Sequence, residues 1–257
     1  MSYKKALIGA AMLLALGAGS AAAETLHSGD FVLGPTIPGK WGSPVFGTGA
    51  TVTWSLMASG VDCSAEGSGI CSSLASFMPA GFAAEITAAF AAWSAVANIT
   101  FVLVPDLGEA FNAAGGSGDI RVGGHAFDGP SGVLAHGYYP PANGLTAAGD
   151  IHFDTADAWK IGFGGPGFSI FQVMAHEIGH AIGLDHTGVA GSLMNAFYTE
   201  AFSGPQTDDI AGGQFIYGKP VVVEPPTIPV PAALPLLAVA LAGLGVLGRR
   251  RKVSVAA

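Results

Sequence analysis

The chain has 257 residues, of which half are apolar and only 11% are charged. This length allows one domain with a substantial core plus extensions at both ends. Residues 24–231 contain four basic residues against 18 acidic ones. Such an acidic surface argues against a nucleic-acid partner and suits divalent cations, although simple solubility accounts equally well for many of the carboxylates.

Residues 1–23 are predicted to be a secretory signal peptide. Two lysines precede an apolar run that ends in three alanines, which is the layout of a cleavable leader. The run is short for a bilayer span, which argues against a membrane helix here. Export leads to an oxidising compartment, so Cys63 and Cys71 are predicted to form a disulfide that closes a short loop, in preference to two free thiols.

The next segment, 24–49, is rich in Gly and Pro and is predicted to be extended. Hydrophobic periodicity then predicts one domain over 50–218. The predicted strands are 50–56, 99–104, 118–123, 132–139 and 149–154, and the predicted helices are 82–96, about 168–182 and 206–218. Thr207 and Asp208 are the predicted N-cap residues of the last helix. This order predicts an α/β (α+β) fold with a mixed, twisted sheet of about five strands and about three helices.

Residues 219–231 are predicted to be a Pro-rich linker, and 232–257 form an apolar run followed by a basic cluster. The run is near the lower limit for a membrane-spanning helix, and the basic cluster would hold its end on the cytoplasmic side. The segment resembles the PEP-CTERM class of bacterial sorting signals, in its V-P-x-P-A variant at 230–233. That resemblance implies transient membrane attachment and cleavage by a sorting protease of the exosortase type. A permanent C-terminal anchor is the alternative.

Three of the seven histidines lie within the sequence HEIGHAIGLDH. His176 and His180 are four residues apart on a predicted helix, so both rings leave the same face. Gly183 can adopt a positive φ and turn the chain so that His186 reaches the same metal. Three neutral imidazoles leave a fourth position for water, which is the arrangement of a catalytic zinc site. Glu177, beside the first ligand, is predicted to be the general base that takes the proton of that water.

This motif matches the H-E-x-x-H-x-x-G-x-x-H signature of the metzincin metalloproteases. Over residues 50–218 the chain resembles a bacterial matrixin, a relative of the matrix metalloprotease catalytic domain. The segments that carry the likeness are AFAAWSAVANITF, FDGPSGVLAHGYYPP, GDIHFDTADAW, LMNAFY and TDDIAGGQFIYG. The resemblance implies a metzincin, zincin-like fold and a metalloendopeptidase of the EC 3.4.24 type. It places Met194 in a Met-turn under the zinc and Tyr198 in the substrate pocket, and it makes GVLAHGYY the edge strand that binds an extended substrate.

The same resemblance implies a second, structural zinc bound by His125, His136 and His152. The family supplies an aspartate two residues after the first of these histidines, but Phe127 occupies that position here. The fourth ligand is therefore not evident from the sequence. Strand histidines that face solvent are the alternative.

The resemblance also implies structural calcium. Asp128, Asp154 and Asp157 match its side-chain ligands, and backbone carbonyls of the DGPSGV loop would complete the six to eight oxygens that calcium prefers. Asp119 and Asp150 match positions near a second calcium, more weakly. Solvated loop aspartates are the alternative for both sets.

Two functions from different classes fit these features. The first is a secreted or cell-surface zinc endopeptidase, acting as a monomer on protein or peptide substrates. The second is a non-enzymatic, metal-binding surface or biofilm-matrix protein that has retained the fold. Glu177 favours the enzyme, because a protein that only binds metal has no need of a base beside the ligands. A hydrolase of small substrates fits less well, since the edge strand implies an extended substrate.

Overall fold

A five-stranded sheet forms the centre of the protein in the computed structural model, which describes residues 31–140 and 147–221. The strands of these residues are, in chain order, β1 (Val32–Leu33), β2 (Ala50–Leu56), β3 (Val61–Asp62), β4 (Ile70–Cys71), β5 (Ile99–Leu103), β6 (Ile120–His125), β7 (Ala135–Gly137), β8 (Ile151–Asp154), β9 (Trp159–Lys160), β10 (Phe168–Ser169) and β11 (Leu184–Asp185). The central sheet has the order β5-β2-β6-β8-β7. Its first four strands are parallel, whereas β7 at the edge runs antiparallel to β8. The predicted mixed sheet of about five strands is confirmed.

Three α-helices accompany this sheet in the described residues: α1 (Phe82–Val96), α2 (Ile170–Ala181) and α3 (Thr207–Tyr217). Helix α1 has the predicted bounds, and its periodic apolar residues Ile86, Phe90 and Trp93 are buried. One mixed sheet with three helices confirms the predicted α/β (α+β) class.

Helix α2 begins two residues later than predicted. Phe168 and Ser169 form the short strand β10 and pair with β9. Ser169 is the N-cap of α2, and its hydroxyl accepts a hydrogen bond from the backbone N–H of Gln172 at 3.4 Å. The capping side chain therefore sets the first helical residue at Ile170.

The predicted N-cap of α3 is wrong. Gln206, and not Thr207 or Asp208, occupies the N-cap position. Asp209 accepts a hydrogen bond from the backbone N–H of Gln206 at 2.8 Å, and the Gln206 side chain bonds in return to the backbone of Asp209. This reciprocal pair outweighs the intrinsic N-cap preference of Thr and Asp.

The packing of α1 against α2 forms the core directly behind the histidine motif. Trp93 of α1 is fully buried, and its Nε1 donates to the carbonyl of Ala175 at 2.8 Å. Met174 and Ile178 of α2 are also buried. Each such apolar side chain stabilises the fold by about 1.5–3 kcal/mol, so the helix that carries the motif rests on a rigid base.

The described part of the N-terminal segment, 31–49, lies against the end of α2. Strand β1 pairs with β11, and the N–H of Gly34 donates to the carbonyl of Gly183 at 2.8 Å. The indole of Trp41 donates to the carbonyl of Ala181 at 2.7 Å. These bonds fix the turn that follows the helix.

Cys63 and Cys71 are joined by a disulfide, and their Cα atoms lie 5.6 Å apart. Both are buried, and the bond closes the β3–β4 hairpin, which contains the 3₁₀ turn Ser64–Glu66. In the chain-entropy account, a cross-link across a loop of this size stabilises the fold by about 2–3 kcal/mol.

The predicted signal peptide, most of the predicted linker and the predicted C-terminal segment lie outside the described residues. Within the part that the structure describes, no helix combines the length and apolar character needed to cross a bilayer.

Candidate active site and second metal centre

The three histidines of the motif converge beside the C-terminal end of α2. The Nε2 atoms of His176 and His186 lie 3.2 Å apart, as do those of His180 and His186. Zinc–nitrogen bonds of about 2.0–2.1 Å in tetrahedral geometry would place the nitrogens about 3.3 Å apart. The three residues therefore fit a zinc ion with one coordination position left open.

Backbone carbonyls hold two of these rings in the orientation that a metal requires. The Nδ1 of His176 lies 2.6 Å from the carbonyl of Leu193, and the Nδ1 of His180 lies 2.8 Å from that of Leu184. A carbonyl only accepts, so each Nδ1 carries the hydrogen and each Nε2 presents a lone pair. Burial lowers the pKa of His176 well below its ordinary value and that of His180 to about 4, so both rings are neutral near pH 7.

A tight turn after α2 brings His186 to the other two ligands. Gly183 has a φ of +110°, a conformation that side-chain-bearing residues rarely adopt. A Cβ at this position would lie 2.1 Å from the carbonyl oxygen of Gly39. After the turn, Asp185 accepts a hydrogen bond from the backbone N–H of His186 at 2.7 Å and another from the hydroxyl of Tyr139 at 2.8 Å.

The predicted Met-turn lies beneath the helix, and Asp209 holds it there. Met194 is buried, and its sulfur lies against Gly179 of α2. The Asp209 carboxylate accepts hydrogen bonds from the backbone N–H groups of Leu193 (2.8 Å) and Met194 (3.0 Å) and from the hydroxyl of Ser192 (2.6 Å). Asp209 was not among the predicted site residues; its place three residues after the N-cap of α3 is the sequence signal for a buried acceptor.

Glu177 follows the first ligand on α2, and its fully buried side chain points towards the edge strand β7. Neither carboxylate oxygen has a hydrogen-bond partner in the described residues. Burial raises the pKa of Glu177 to about 8. The carboxylate faces Gly137 of β7, where a Cβ would stand 3.3 Å from Oε2 and 2.8 Å from the Glu177 carbonyl oxygen. The strand can approach the helix this closely only because it has no side chain there.

Strand β7 and Tyr198 border this cluster. Strand β7 pairs only with β8 in the central sheet, so its outer edge has no strand partner in the described sheet. The hydroxyl of Tyr198 accepts a hydrogen bond from the N–H of Ser169 at 2.8 Å and donates to Glu200. The Tyr198 side chain therefore contacts Ser169, which is the last residue of β10 and the N-cap of α2.

A second group of possible metal ligands lies on β6, β7 and β8. The rings of His125, His136 and His152 pack together with centroids 5.3–5.6 Å apart. Glu66, which was not predicted as a ligand, reaches this group from the disulfide hairpin. Burial raises the pKa of Glu66, but the neighbouring histidines outweigh burial and hold it well below its ordinary value. The sequence signal is that Glu66 is the only charged residue between the two cysteines.

The three aspartates predicted to bind calcium are all attached to one loop. Asp128 accepts from the N–H of Val133 at 3.1 Å, and Asp157 accepts from that of Ser131 at 2.6 Å. Asp154 accepts from Phe127 (3.3 Å) with Oδ1, while its buried Oδ2 has no hydrogen-bond partner among the described groups. The clusters of close donor atoms found in the described residues include none of the three.

The weaker pair behaves differently. Asp119 accepts from the backbone N–H of Thr53 at 2.8 Å and thereby links β2 to β6. Asp150 is fully buried, accepts from the N–H of Arg121 at 2.9 Å, and burial raises its pKa well above the ordinary value. Neither belongs to a cluster of close donor atoms in the described residues.

The turn at Gly183 gives a direct test of how the third ligand is placed. Gly183→Ala should lower the free energy of unfolding by at least about 2 kcal/mol, because the added Cβ is strained at positive φ and collides with Gly39. It should also weaken zinc binding by moving His186. Urea unfolding and zinc titration measure the two effects.

Gly188→Ala is the matched control. A Cβ at Gly188 meets no atom within 4 Å, and its φ is not positive. Its effect on stability should stay within about 0.5 kcal/mol. Equal behaviour of the two variants would contradict the role assigned to the turn.

Comparison with known proteins agrees with this geometry. Karilysin from Tannerella forsythia is 36% identical over 150 residues, which are 55% of this chain and 30% of that protein. Matrix metalloproteinase-16 from Homo sapiens is 38% identical over 162 residues, 57% of this chain and 25% of that protein. Stromelysin-3 from Xenopus laevis is 45% identical over 102 residues, 39% of this chain and 20% of that protein. The chain thus spans less than a third of the length of each relative. The sequence model of the matrixin family matches residues 70–218, more than half of the chain, and the chain therefore belongs to the matrixin family.

Proposed function

We propose that this chain is a secreted zinc endopeptidase that hydrolyses extended segments of protein substrates. One observation carries the proposal: three imidazole Nε2 atoms converge on a single point beside a buried carboxylate that no described group hydrogen-bonds. Zinc bound there would supply a Lewis acid that polarises water and the scissile carbonyl. A protein that only binds metal would give Glu177 no role, so the alternative of a non-enzymatic matrix protein is not favoured.

Glu177 has the properties of a general base in such a reaction. Burial alone raises its pKa to about 8, and a zinc ion at the neighbouring histidines would favour the ionised form, so that the carboxylate can accept a proton and return it within one turnover. Its carboxylate would take the proton of the attacking water and then give it to the nitrogen of the leaving amine. Burial excludes bulk water that would otherwise exchange that proton.

The edge strand supports an extended substrate. Strand β7 lies beside Glu177 through Gly137, and its outer edge can add a peptide by main-chain hydrogen bonds. Such binding is largely independent of side chains, which favours flexible or unfolded segments. We assign Tyr198, at the start of α2, to the wall of the pocket that receives the side chain after the scissile bond.

The structural metals belong to the same proposal. His125, His136 and His152 would bind a second zinc on the sheet. Calcium would bind at the loop that Asp128, Asp154 and Asp157 surround, and the orphaned Oδ2 of Asp154 supports this assignment. The bonds of Asp119 to sheet backbone favour a structural role for this residue. The buried Oδ2 of Asp150 has no hydrogen-bond partner among the described residues, as at Asp154, and a second, weaker calcium is assigned there on the same ground.

We also propose that residues 1–23 direct export and that 232–257 hold the protein at the membrane before a sorting protease removes the segment. The domain would then act outside the cell or at its surface, as a monomer.

Removal of the base should separate chemistry from metal binding. Glu177→Ala should lower the rate of peptide hydrolysis by about 10²–10⁴-fold while bound zinc stays unchanged, because all three ligands remain. Cleavage of a peptide library and metal analysis of the same sample measure both quantities. His180→Ala should lose zinc and activity together.

Glu85→Ala, at the first turn of α1 and outside the clusters of close donor atoms in the described residues, is the control and should keep full activity. Near-normal turnover by Glu177→Ala would show that another group is the base. Inactivity of the unaltered chain on every peptide tested would contradict the proposed function itself.

Calcium should act on stability more than on chemistry. Added calcium at constant zinc should raise the melting temperature, because the ion binds only the folded loop. Asp154→Asn should remove most of this rise, because the amide has no negative charge to bind calcium. The fold should be kept, because the amide oxygen can still accept the hydrogen bond from the N–H of Phe127. A melting temperature indifferent to calcium would contradict the site.

The C-terminal proposal predicts the mass of the mature protein. Cleavage at the sorting motif should leave a chain that ends near Pro231, because the apolar segment and the basic cluster are removed together. Intact-mass spectrometry of the exported protein measures this directly. Recovery of the complete C-terminus, to Ala257, would indicate a permanent anchor.

A further inference from the structure

We propose that Glu66 is the fourth ligand of the second metal centre, so that the disulfide-closed hairpin binds the metal together with the three sheet histidines. The inference rests on the proposed second zinc and does not depend on peptidase activity. The sequence position at which the family supplies an aspartate has no ligand here. Phe127 occupies it, and its ring stacks on His136 with centroids 4.8 Å apart and planes 10° apart.

The carboxylate of Glu66 lies within bonding range of a shared ion with all three histidines. Its Oε1 is 2.6 Å from Nε2 of His136, and its Oε2 is 3.1 Å from Nε2 of His125 and 2.8 Å from Nδ1 of His152. Nε2 of His136 and Nδ1 of His152 are 3.4 Å apart. The 3.1 and 3.4 Å separations are close to the about 3.3 Å between neighbouring ligand atoms of tetrahedral zinc, whereas the 2.6 and 2.8 Å separations would have to lengthen around a bound ion.

The contact between His125 and Glu66 requires a positive charge between the two side chains. The Nδ1 of His125 lies 3.1 Å from the carbonyl of Ala126, so this nitrogen carries a hydrogen and, in the uncharged ring, Nε2 presents its lone pair. That nitrogen faces Glu66 Oε2, and neither buried atom has a partner with hydrogen-bond geometry among the described residues, although Nδ1 of His152 lies 2.8 Å from Oε2. Two acceptors at this distance repel each other unless a positive charge lies between them; a second proton on His125 would satisfy this one contact, whereas a metal ion would bind Glu66 and all three histidines together.

The surroundings of Glu66 orient the carboxylate for this role. The hydroxyl of Tyr138 donates to Oε1 at 2.8 Å, which directs Oε2 towards His125. Cys71 Sγ is 3.9 Å from Nε2 of His152, but its disulfide to Cys63 prevents it from acting as a thiolate ligand. Glu66 is therefore the only anionic donor in this group, and one carboxylate with three neutral imidazoles suits a divalent ion such as zinc.

The test uses the full chain with His180→Ala, which disables the active-site cluster so that the remaining tightly bound zinc reports the second centre. Zinc affinity is measured by competition with a chromogenic chelator, and the zinc-induced rise in melting temperature is measured in parallel. We expect about one zinc for each chain. Adding Glu66→Gln should weaken zinc binding at least about 100-fold and abolish the thermal shift, because the anionic ligand is lost.

Asp62→Asn is the matched control, since it makes the same chemical change on the same hairpin at an exposed side chain. It should bind zinc as the parent does. Glu66→Asp keeps the negative charge, but its shorter side chain moves the carboxylate away from the histidines. We expect at least tenfold weaker zinc binding. This second variant tests the proposal even if Glu66→Gln does not fold.

Affinity unchanged by Glu66→Gln or by Glu66→Asp would overturn the proposal and leave a three-histidine site. A His180→Ala chain that takes up no zinc would overturn the second centre as a whole. Both outcomes are distinct from a failure of the peptidase proposal, because neither measurement involves hydrolysis.

Discussion

The candidate active site depends on two backbone carbonyls that fix the tautomers of His176 and His180. Each carbonyl accepts from an Nδ1, so each Nε2 is directed to the point that His186 also reaches. One carbonyl, of Leu193, lies in the Met-turn, whose backbone N–H groups are bound by Asp209 of α3. The first ligand of α2 is thus positioned by a residue on α3. A typical buried hydrogen bond contributes about 1 kcal/mol, but the loss of a buried acceptor such as Asp209 would leave several donors unsatisfied at once.

Glu177 lowers the stability of the folded protein when its carboxyl group is ionised. A fully buried carboxyl without hydrogen-bond partners among the described groups destabilises the fold when it ionises, and its pKa of about 8 expresses that penalty. Since the pKa is raised in the folded state, stability from this group is greatest at low pH. It declines as the pH rises from the ordinary glutamate value towards about 8. A nearby cation would favour the ionised form and reduce the penalty. A buried carboxyl that weakens the fold when it ionises is the kind of group that function retains.

The elements that sequence patterns predicted are those whose information is local. The apolar spacing of α1 gave both of its ends, and the spacing of the motif placed two ligands on one helix face and a turn before the third. The errors are at positions decided by non-local partners. Helix α2 begins late because Ser169 caps it and β10 pairs with β9. The N-cap of α3 moved to Gln206 because Asp209 reaches back to it.

Glu66 and Asp209 could not have been assigned from spacing alone. Glu66 is separated from His152 by 86 residues, and the two meet only because the hairpin folds against the sheet. The sequence shows a single charged residue between the two cysteines, which is a weak indication of a functional role. It does not indicate which part of the fold the Glu66 side chain would contact. Local periodicity carries information about faces of one element, whereas a ligand from a loop is determined by how that loop packs on another element.

The two candidate metal centres lie on opposite faces of the edge strand, and this connects the proposed structural site to the proposed chemistry. Successive residues of a strand point to opposite faces. His136 therefore faces the second centre and Glu66, whereas Gly137 faces α2 and Glu177. Strand β7 has only three residues and one strand partner in the described sheet, which would leave its register weakly determined. A metal bound by His136, His152 and Glu66 would link β7 to β8 and to the disulfide hairpin at the paired positions His136 and His152. The metal would then fix the position of β7 relative to Glu177. It would do so from the face of the strand that carries His136, which leaves the outer edge of β7 free to pair with a substrate.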